Sequence, residues 1–329
     1  MTELETQTPP NSETSVHIPI LVEPILKSLF ENLEQRLSPE PQQKSYIIDC
    51  TFGGGGHSSA FLNEIRKDSV LKDRVAVIGI DQDEAALIRA KRNFAEDLQA
   101  GRLELFHGRF SEIREIVESR YCVGLLADFG FSSDQIEDPQ RGLSFRADGP
   151  LDMRLDPSRG ESARSWLARA REQEIETVLR EYGEERFSKK IAAAIVELRR
   201  SKEIPATAKE FANFVTQLMP PANRYGRIHP ATRVFQALRI QVNDELGEIE
   251  RLLADILPKL RPHARIALIS FHSLEDRKVK WTFREQPELF EILTKKPIEA
   301  DDLEVARNPR SRSAKLRLAE RASFAGSEK

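Results

Sequence analysis

The residues of this 329-residue chain best suited to ligand chemistry are a run of four glycines, Gly53–Gly56, and two aspartates, Asp81 and Asp128. The glycines follow a short apolar segment and precede His57, the predicted start of a helix. A bare backbone would therefore lie at a helix amino end, where a ligand can approach closely. Asp81 ends the next apolar segment, and a carboxylate there can accept hydrogen bonds from two ribose hydroxyls. The combination predicts a site for a ligand that carries a ribose.

Three ribose-bearing ligands can be compared with this pattern. A dinucleotide usually requires G-x-G-x-x-G, whereas the sequence here is GGGGHSSA. A nucleoside triphosphate requires Lys and then Ser or Thr after the loop, and no Lys follows directly. S-adenosylmethionine has no phosphate and needs only a close backbone and the ribose carboxylate, so it fits best. The alternative is that the glycines only make a turn and that the aspartate caps a helix.

Asp128 ends a further apolar segment and suggests chemistry on an exocyclic amine. The amino nitrogen of cytosine or adenine shares its lone pair with the ring and is a poor nucleophile. An acceptor that holds its N–H would draw the nitrogen towards tetrahedral geometry, in line with a methyl donor. The proton can leave after the transfer. The competing interpretation is that Asp128 only caps the following turn.

The elements that must position these residues are apolar strands that alternate with helices. This alternation predicts an open parallel sheet with ligands at the carboxyl ends of its strands. The predicted strands are Tyr46–Ile48, Val75–Ile80, Leu103–His107, Val123–Asp128, Arg265–Phe271, Phe290–Thr294 and, at the edge, Ala314–Ala319. The predicted helices are His57–Arg66, Glu84–Phe94, Ser111–Val117, Ala163–Ala170, Ile175–Tyr182, Phe187–Arg200, Thr207–Leu218, Pro230–Leu257 and Leu274–Phe283. Between the fourth strand and these later helices, Phe129–Asp156 is predicted to be a long loop over a site.

The composition is that of an ordinary globular protein, with 40% hydrophobic and 31% charged residues. The formal net charge is -3, so nucleic-acid contacts would have to come from a local basic patch. Cys50 and Cys122 are predicted in buried strands and are too few for a disulfide framework. No apolar run reaches membrane-spanning length, and no signal-peptide pattern begins the chain. We therefore expect a cytoplasmic protein that does not associate with membranes.

Six motifs resemble one known family in the same order along nearly the whole chain. They are DFGFSSDQIEDPQRGLSF, GPLDMRLD, YGEERFSKKIAAAIVELR, HPATRVFQALRIQVNDEL, SFHSLEDRKVK and NPRSRSAKLR. Together they resemble the ribosomal RNA small subunit methyltransferase H family. The resemblance implies a class I S-adenosylmethionine-dependent methyltransferase fold, a Rossmann-like seven-stranded α/β sheet, with an inserted all-helical domain. It also implies methylation of the 4-amino group of a decoding-region cytosine in 16S rRNA, within an assembled or nearly assembled small subunit.

The resemblance also assigns residues to the cofactor. The implied contacts are Gly55, Gly56, His57, Asp81, Phe110, Asp128 and Gln135. The sequence departs from the family pattern at Phe129 and Phe131, where aliphatic residues are usual, and at Asp134, where proline is usual. These bulkier neighbours could reshape the substrate side of the pocket. The segment between Phe283 and Glu304 is also short compared with some members.

Three groups of residues are candidates for contacts with substrate or RNA. The first group is Arg233, Gln236 and Arg239, which recur with His229 at helical spacing. The second is His272, after the fifth strand. The third is Arg310 and Arg312, in a basic patch with Arg307, Lys315 and Arg317. The patch suits phosphate contacts. The respective alternatives are a solvated helix face, a hydrogen bond within the core and a merely solubilising tail. No grouping has zinc spacing, so metal binding is not predicted.

The pattern also predicts how the chain is divided. We expect a disordered lead at 1–16, a methyltransferase domain in two parts at 17–138 and 230–322, a helical insert at 139–229 and a tail at 323–329. Two other functions stay open at this point. One is methylation of a protein or small molecule, and the other is an RNA-binding assembly factor that keeps the cofactor pocket only as structure.

Overall fold

The computed structural model describes residues 19–146, 148–201, 203–224 and 229–323. Its strands are β1 (Ser45–Asp49), β2 (Val75–Asp81), β3 (Leu103–His107), β4 (Tyr121–Asp128), β5 (Arg265–Ser270), β6 (Phe290–Ile292) and β7 (Lys315–Arg321). They form one sheet in the order β3-β2-β1-β4-β5-β7-β6. The direction of winding reverses between β1 and β4, which is where open α/β sheets bind ligands. The seven strands and their order agree with the class I methyltransferase sheet that the motif resemblance implies.

The register of the central strands sets the carboxylates around a notch. Asp49, the last residue of β1, pairs with Gly79 of β2 and with Leu126 of β4. Asp81 and Asp128 each lie two positions beyond those partners, so the two flanking strands extend further than β1. The notch above Asp49 is therefore bordered by one carboxylate on each side.

The first five strands run parallel as predicted, but the edge position predicted for the seventh strand is wrong. β7 runs antiparallel to both β5 and β6 and lies between them, so β6 is at the edge. The alternation Lys315-Leu316-Arg317-Leu318 suggested an exposed edge. Both faces of β7 are nevertheless covered, and Arg317 is buried because its guanidinium pairs with Asp276 at 2.7 Å.

The helices that cover the sheet agree with most of the sequence predictions. The α-helices are Val22–Phe30, Gly56–Lys67, Leu71–Arg74, Glu84–Asn93, Ala95–Gln99, Arg114–Ser119, Ser133–Glu137, Ala163–Arg169, Glu172–Glu181, Ser188–Ser201, Ala208–Leu218, Pro221–Arg224, Thr232–Asn243, Glu245–Arg251, Ser273–Glu285 and Asp302–Arg307. Two hydrophobic clusters contain the buried strand residues, and a third joins residues between 143 and 238. The predicted domain boundaries stay a prediction.

The long helix predicted over Pro230–Leu257 is broken at Asp244, which adopts a left-handed conformation with φ 52°. Its carboxylate folds over Gly247, where a Cβ would lie only 2.4 Å from Asp244 Oδ1. The apolar periodicity continues through the break, so the sequence pattern did not reveal it. The redirected helix Glu245–Arg251 packs against the turn Phe110–Glu112.

Two other predictions need correction, and some lie outside the described residues. The segment Phe129–Asp156 was predicted to be a loop but contains the helix Ser133–Glu137, which begins with a capping box from Ser132. The helix predicted over Ser111–Val117 is split into a 3₁₀ turn and Arg114–Ser119. The predicted lead at 1–16 and nearly all of the tail lie outside the described residues. Among the described helices, none has the length and apolarity to cross a membrane.

Candidate cofactor and substrate cleft

A cleft of about 960 Å³ opens at the carboxyl ends of the central strands. Four of the predicted cofactor contacts line it: Asp81, Phe110, Asp128 and Gln135. Gly53, the first glycine of the run, also lines it. The helices Thr232–Asn243 and Ser273–Glu285 contribute further walls. The volume is within the range of sites for drug-sized ligands and cofactors.

Asp81 presents an ionisable acceptor at the end of β2. Its Oδ2 accepts the backbone N–H of Gly53 at 2.6 Å, and its Oδ1 accepts that of Asp83 at 2.8 Å. Each oxygen keeps a second lone pair, so the carboxylate can still accept two hydroxyl donors. Burial raises the pKa of Asp81 to about 6, against the opposing effect of the two backbone hydrogen bonds.

The glycine run shapes the backbone beside Asp81. Gly53 and Gly55 have positive φ, 52° and 76°, which side chains rarely adopt. A Cβ on Gly55 would lie 2.7 Å from the ring of Phe94, so this glycine is required by packing as well as by conformation. Of the run, Gly53 lines the cleft, whereas Gly55 and Gly56 do not.

His57 also does not line the cleft, and its ring is buried in the first turn of its helix. Its Nε2 lies 2.8 Å from the carbonyl oxygen of Ile20. Burial lowers the pKa of His57 and favours a neutral ring. Any contact of Gly55, Gly56 or His57 with a ligand would thus have to come from the backbone of the loop and the helix start.

Asp128 carries an oxygen with no partner. Its backbone N–H donates to Thr51 Oγ1 at 2.8 Å, but Oδ1 is buried and has no hydrogen-bond partner among the described residues. Burial raises the pKa of Asp128 well above its usual value, and the charges of Asp49 and Glu275 raise it further. A buried acceptor without a donor is unfavourable unless a ligand supplies one.

Phe110 and Gln135 differ in what they can offer a ligand. The Phe110 ring lies 5.9 Å from that of Phe129, centroid to centroid, and both line the cleft as an apolar surface. Gln135 is held by protein contacts: its Oε1 accepts the N–H of Ser132 at 3.0 Å and its Nε2 donates to Asp83 at 3.3 Å. Gln135 therefore orders the loop after β4 as well as lining the cleft.

Several charged side chains lie near His272 in the cleft wall. His272 Nε2 lies 3.0 Å from Glu275 Oε1, and Glu275 Oε2 accepts the N–H of Phe271 at 2.8 Å. Burial alone would raise the pKa of Glu275, but the contact with His272 and the charges of His272 and Arg239 lower it overall. Arg239 makes a bidentate pair with Glu245 at 2.7 and 2.9 Å.

The same group bears on metal binding. Ligand atoms of Glu245, His272 and Glu275 lie within 4.8 Å of one another, a spacing that could hold an ion. Both oxygens of Glu245 already accept from Arg239, whose guanidinium supplies the positive charge there. The expectation of no metal stays a prediction.

Of the polar residues predicted to share a face of the helix Thr232–Asn243, some line the cleft and others do not. Gln236 and Arg239 line the cleft, and Arg239 lies 4.5 Å from the centroid of the Phe131 ring. Arg233 is exposed elsewhere and donates to the carbonyl of Glu184 at 2.9 Å. His229 precedes the helix and stacks on Phe145 at 4.4 Å between centroids. The prediction that these four side chains share one helix face is wrong for His229, because the helix begins only at Thr232.

The predicted basic patch is also divided. Arg310 lines the cleft and Arg312 is exposed beside it on the turn Pro309–Ser313. Arg317 is buried against Asp276 and is not available to phosphates. The patch at the rim is therefore smaller than the sequence suggested.

Sequence reasoning missed two buried acids of the cleft, Glu248 and Glu275, which are 6% and 1% exposed. Glu248 lies in the amphipathic pattern DELGEIE, which is typical of a solvated helix face. A signal for Glu275 was present, because HSLE has the spacing of a capping box.

Known proteins resemble this chain over most of its length. The model of the MraW methylase family matches residues 14–322. A protein of Synechococcus sp. (strain JA-2-3B'a(2-13)), named ribosomal RNA small subunit methyltransferase H, is 46% identical over 294 residues, 86% of this chain and 88% of that protein. A protein of the same name from Persephonella marina is 43% identical over 310 residues, 93% of this chain and 99% of that protein.

Solved structures show a weaker likeness. A SAM-dependent O-methyltransferase from Thermotoga maritima has a TM-score of 0.40 at 10% identity and covers 95% of this chain and 69% of that one. An rRNA methylase from Streptococcus thermophilus has a TM-score of 0.36 at 10% identity, over 88% of this chain and 92% of that one. Scores this low carry no argument, and the fold assignment depends on the strand order described above.

Proposed function

This chain belongs to the MraW methylase family, and on that premise we propose that it methylates the 4-amino nitrogen of a decoding-region cytosine in 16S rRNA. The methyl donor is S-adenosylmethionine, which when bound supplies an electrophilic methyl group on a sulfonium. The names of the relatives support an rRNA substrate. The choice of cytosine and of the decoding region follows from the motif resemblance.

The residues present suit that cofactor. Asp81 has two acceptor positions left for ribose hydroxyls, and the positive-φ backbone at Gly53 lies directly against it. Phe110 gives an apolar surface for a base. In this proposal the backbone of Gly55, Gly56 and His57 borders the remaining part of the cofactor, and Gln135 keeps the loop after β4 in place.

The observation that carries the proposal is the unpaired Oδ1 of Asp128 in the wall of the cleft. The lone pair of an exocyclic amine is shared with the ring and is not directed at a methyl donor. A carboxylate oxygen that accepts the amine N–H fixes the direction of that lone pair. Its raised pKa then makes Asp128 a suitable acceptor for the proton that the nitrogen releases.

The target base must reach this oxygen from a folded RNA. Gln236, Arg239 and His272 line the way into the cleft, whereas Arg310 and Arg312 lie at the rim, where phosphates would pass. A base can enter only when it is unstacked from its neighbours. We assign the segment 139–229 as the inserted helical domain that holds the surrounding RNA or subunit.

The test is incubation of small subunits that lack the modification with methyl-labelled S-adenosylmethionine, followed by digestion to nucleosides. Label on the 4-amino nitrogen of one decoding-region cytidine is the expected result. Label on a ring carbon or a ribose oxygen would refute the amine mechanism, and label on ribosomal protein would favour a protein substrate. Cofactor binding without transfer to any subunit would favour an assembly factor.

A further inference from the structure

Glu248 lines the cleft but has no part in the proposed methyl transfer. It lies on the helix Glu245–Arg251, which the break at Asp244 directs against the turn Phe110–Glu112. Only 6% of its surface is exposed. A carboxylate that is so buried needs hydrogen-bond donors, since its water has been removed.

Within the part of the chain that the structure describes, donors reach one of its two oxygens. Oε1 accepts from Arg109 at 3.0 Å and from Arg251 at 2.7 Å. Oε2 is buried and has no partner among the described residues. Because the two arginines hold the carboxylate in place, the second oxygen is a fixed acceptor in the cleft wall.

The position of Glu248 relative to Asp81 indicates what this acceptor meets. Asp81 ends β2 and is assigned to the ribose, and β3, the next strand outward, leads through Gly108 to Phe110. A base joined to that ribose and lying on Phe110 would have its far edge towards the helix that carries Glu248. The edge of adenine has one donor, the 6-amino group, and its ring nitrogens only accept.

We propose that Glu248 Oε2 accepts a hydrogen bond from the adenine 6-amino group of S-adenosylmethionine and thereby selects an adenosyl cofactor over a 6-oxo purine. Arg109 Nε also lacks a partner among the described residues and lines the same cleft, so it is the matching donor for the neighbouring ring nitrogen. The inference deepens the cofactor side of the proposed function and does not depend on the RNA target.

The test compares the binding of S-adenosylhomocysteine and S-inosylhomocysteine by calorimetry. The native protein should bind the adenosyl compound about 10- to 100-fold more tightly, as expected for one hydrogen bond to a charged acceptor. In Glu248→Gln the amide can turn its NH₂ towards the 6-oxo group, so the ratio should shrink to about threefold or less. A general loss of affinity would cancel in this ratio.

Two further variants make the test decisive. Glu248→Asp keeps the charge but withdraws the oxygens by one methylene, and it should also reduce the ratio. Glu250→Gln is the matched control, because Glu250 lies on the same helix and pairs with Lys278 but does not line the cleft. Its ratio should equal that of the native protein.

An unchanged ratio in both Glu248 variants, or equal binding of the two compounds by the native protein, would overturn the assignment. No RNA is present in this assay. Failure here therefore leaves the rRNA proposal standing, and failure of subunit methylation with an intact ratio counts only against that proposal.

Discussion

Cofactor affinity should depend on pH through Asp81. The pKa of this carboxyl is raised to about 6 by burial, and the ribose hydroxyls need its ionised form as acceptor. Lowering the pH below 6 protonates Asp81, so affinity should fall with acidity and reach a plateau above pH 7. An affinity that rises with acidity would instead require a group that binds the ligand in its protonated form.

The magnitude follows from the same pKa. At pH 5, one unit below it, about one molecule in eleven would have Asp81 ionised, so affinity should be about tenfold weaker than at pH 7.5. Asp81→Asn keeps one acceptor oxygen and loses the charge. One of the N–H groups of Gly53 and Asp83 also loses its acceptor. We expect affinity about 30- to 150-fold weaker at pH 7.5, with no fall between pH 7.5 and 5.

Calorimetric titration with S-adenosylhomocysteine at constant ionic strength from pH 5 to 8 measures both effects. Asp49→Asn is the matched control, because burial also raises the pKa of Asp49 to about 6 but its carboxylate does not line the cleft. Ser58 donates to Asp49 at 2.7 Å and can reverse this hydrogen bond for an amide. If the native protein binds equally well at pH 5 and 7.5, or if Asp49→Asn removes the dependence, the role given to Asp81 is wrong.

Three other experiments test further parts of the protein. Asp128→Asn should lower the single-turnover methylation rate at saturating cofactor by about 100-fold, a much larger factor than its effect on cofactor affinity in calorimetry. Replacing Arg310 and Arg312 together by Ala should weaken subunit binding in filter assays. The slope of log affinity against log salt concentration should become shallower by the equivalent of one to two ions, roughly 0.7 per lost phosphate contact. Arg317→Met should lower the melting temperature without changing this slope. Gly55→Ala should lower the free energy of unfolding by about 2–4 kcal/mol in urea titrations, because its φ of 76° and the nearby core rings both oppose a Cβ.

The strands and most helices could be predicted because each has a local signal. β2 is an apolar run up to Asp81 and β3 has apolar residues at three of its five positions, and their predicted bounds agree with the structure to within one residue. The position of β7 had no such signal, since pairing between β5 and β7 depends on contacts far apart in sequence. The break at Asp244 was missed for a related reason. The break coincides with the left-handed backbone of Asp244 and with its carboxylate over Gly247, and hydrophobic periodicity carries no signal of either feature.

The carboxylates at strand ends were predictable, whereas the acids on helices were not. Asp81 and Asp128 follow apolar strands, and the sheet itself brings such residues to one edge. Glu248 looks like any exposed glutamate on an amphipathic helix until the fold sets Arg109 and Arg251 against it. Arg317 shows the converse error, since a partner on another element removed it from the basic patch.

The charges of the cleft determine which part of an RNA can enter it. Asp128 presents a buried oxygen without a donor among the described residues, and such an oxygen repels a phosphate but accepts an amine. Arg310, which lines the cleft, and the exposed Arg312 beside it supply positive charge at the rim. In the proposed function, phosphates stay outside and an unstacked base presents its exocyclic amine to Asp128. This arrangement would let a protein with a net charge of -3 recognise RNA without a large basic surface, because a buried acid meets the base while a few arginines meet the backbone.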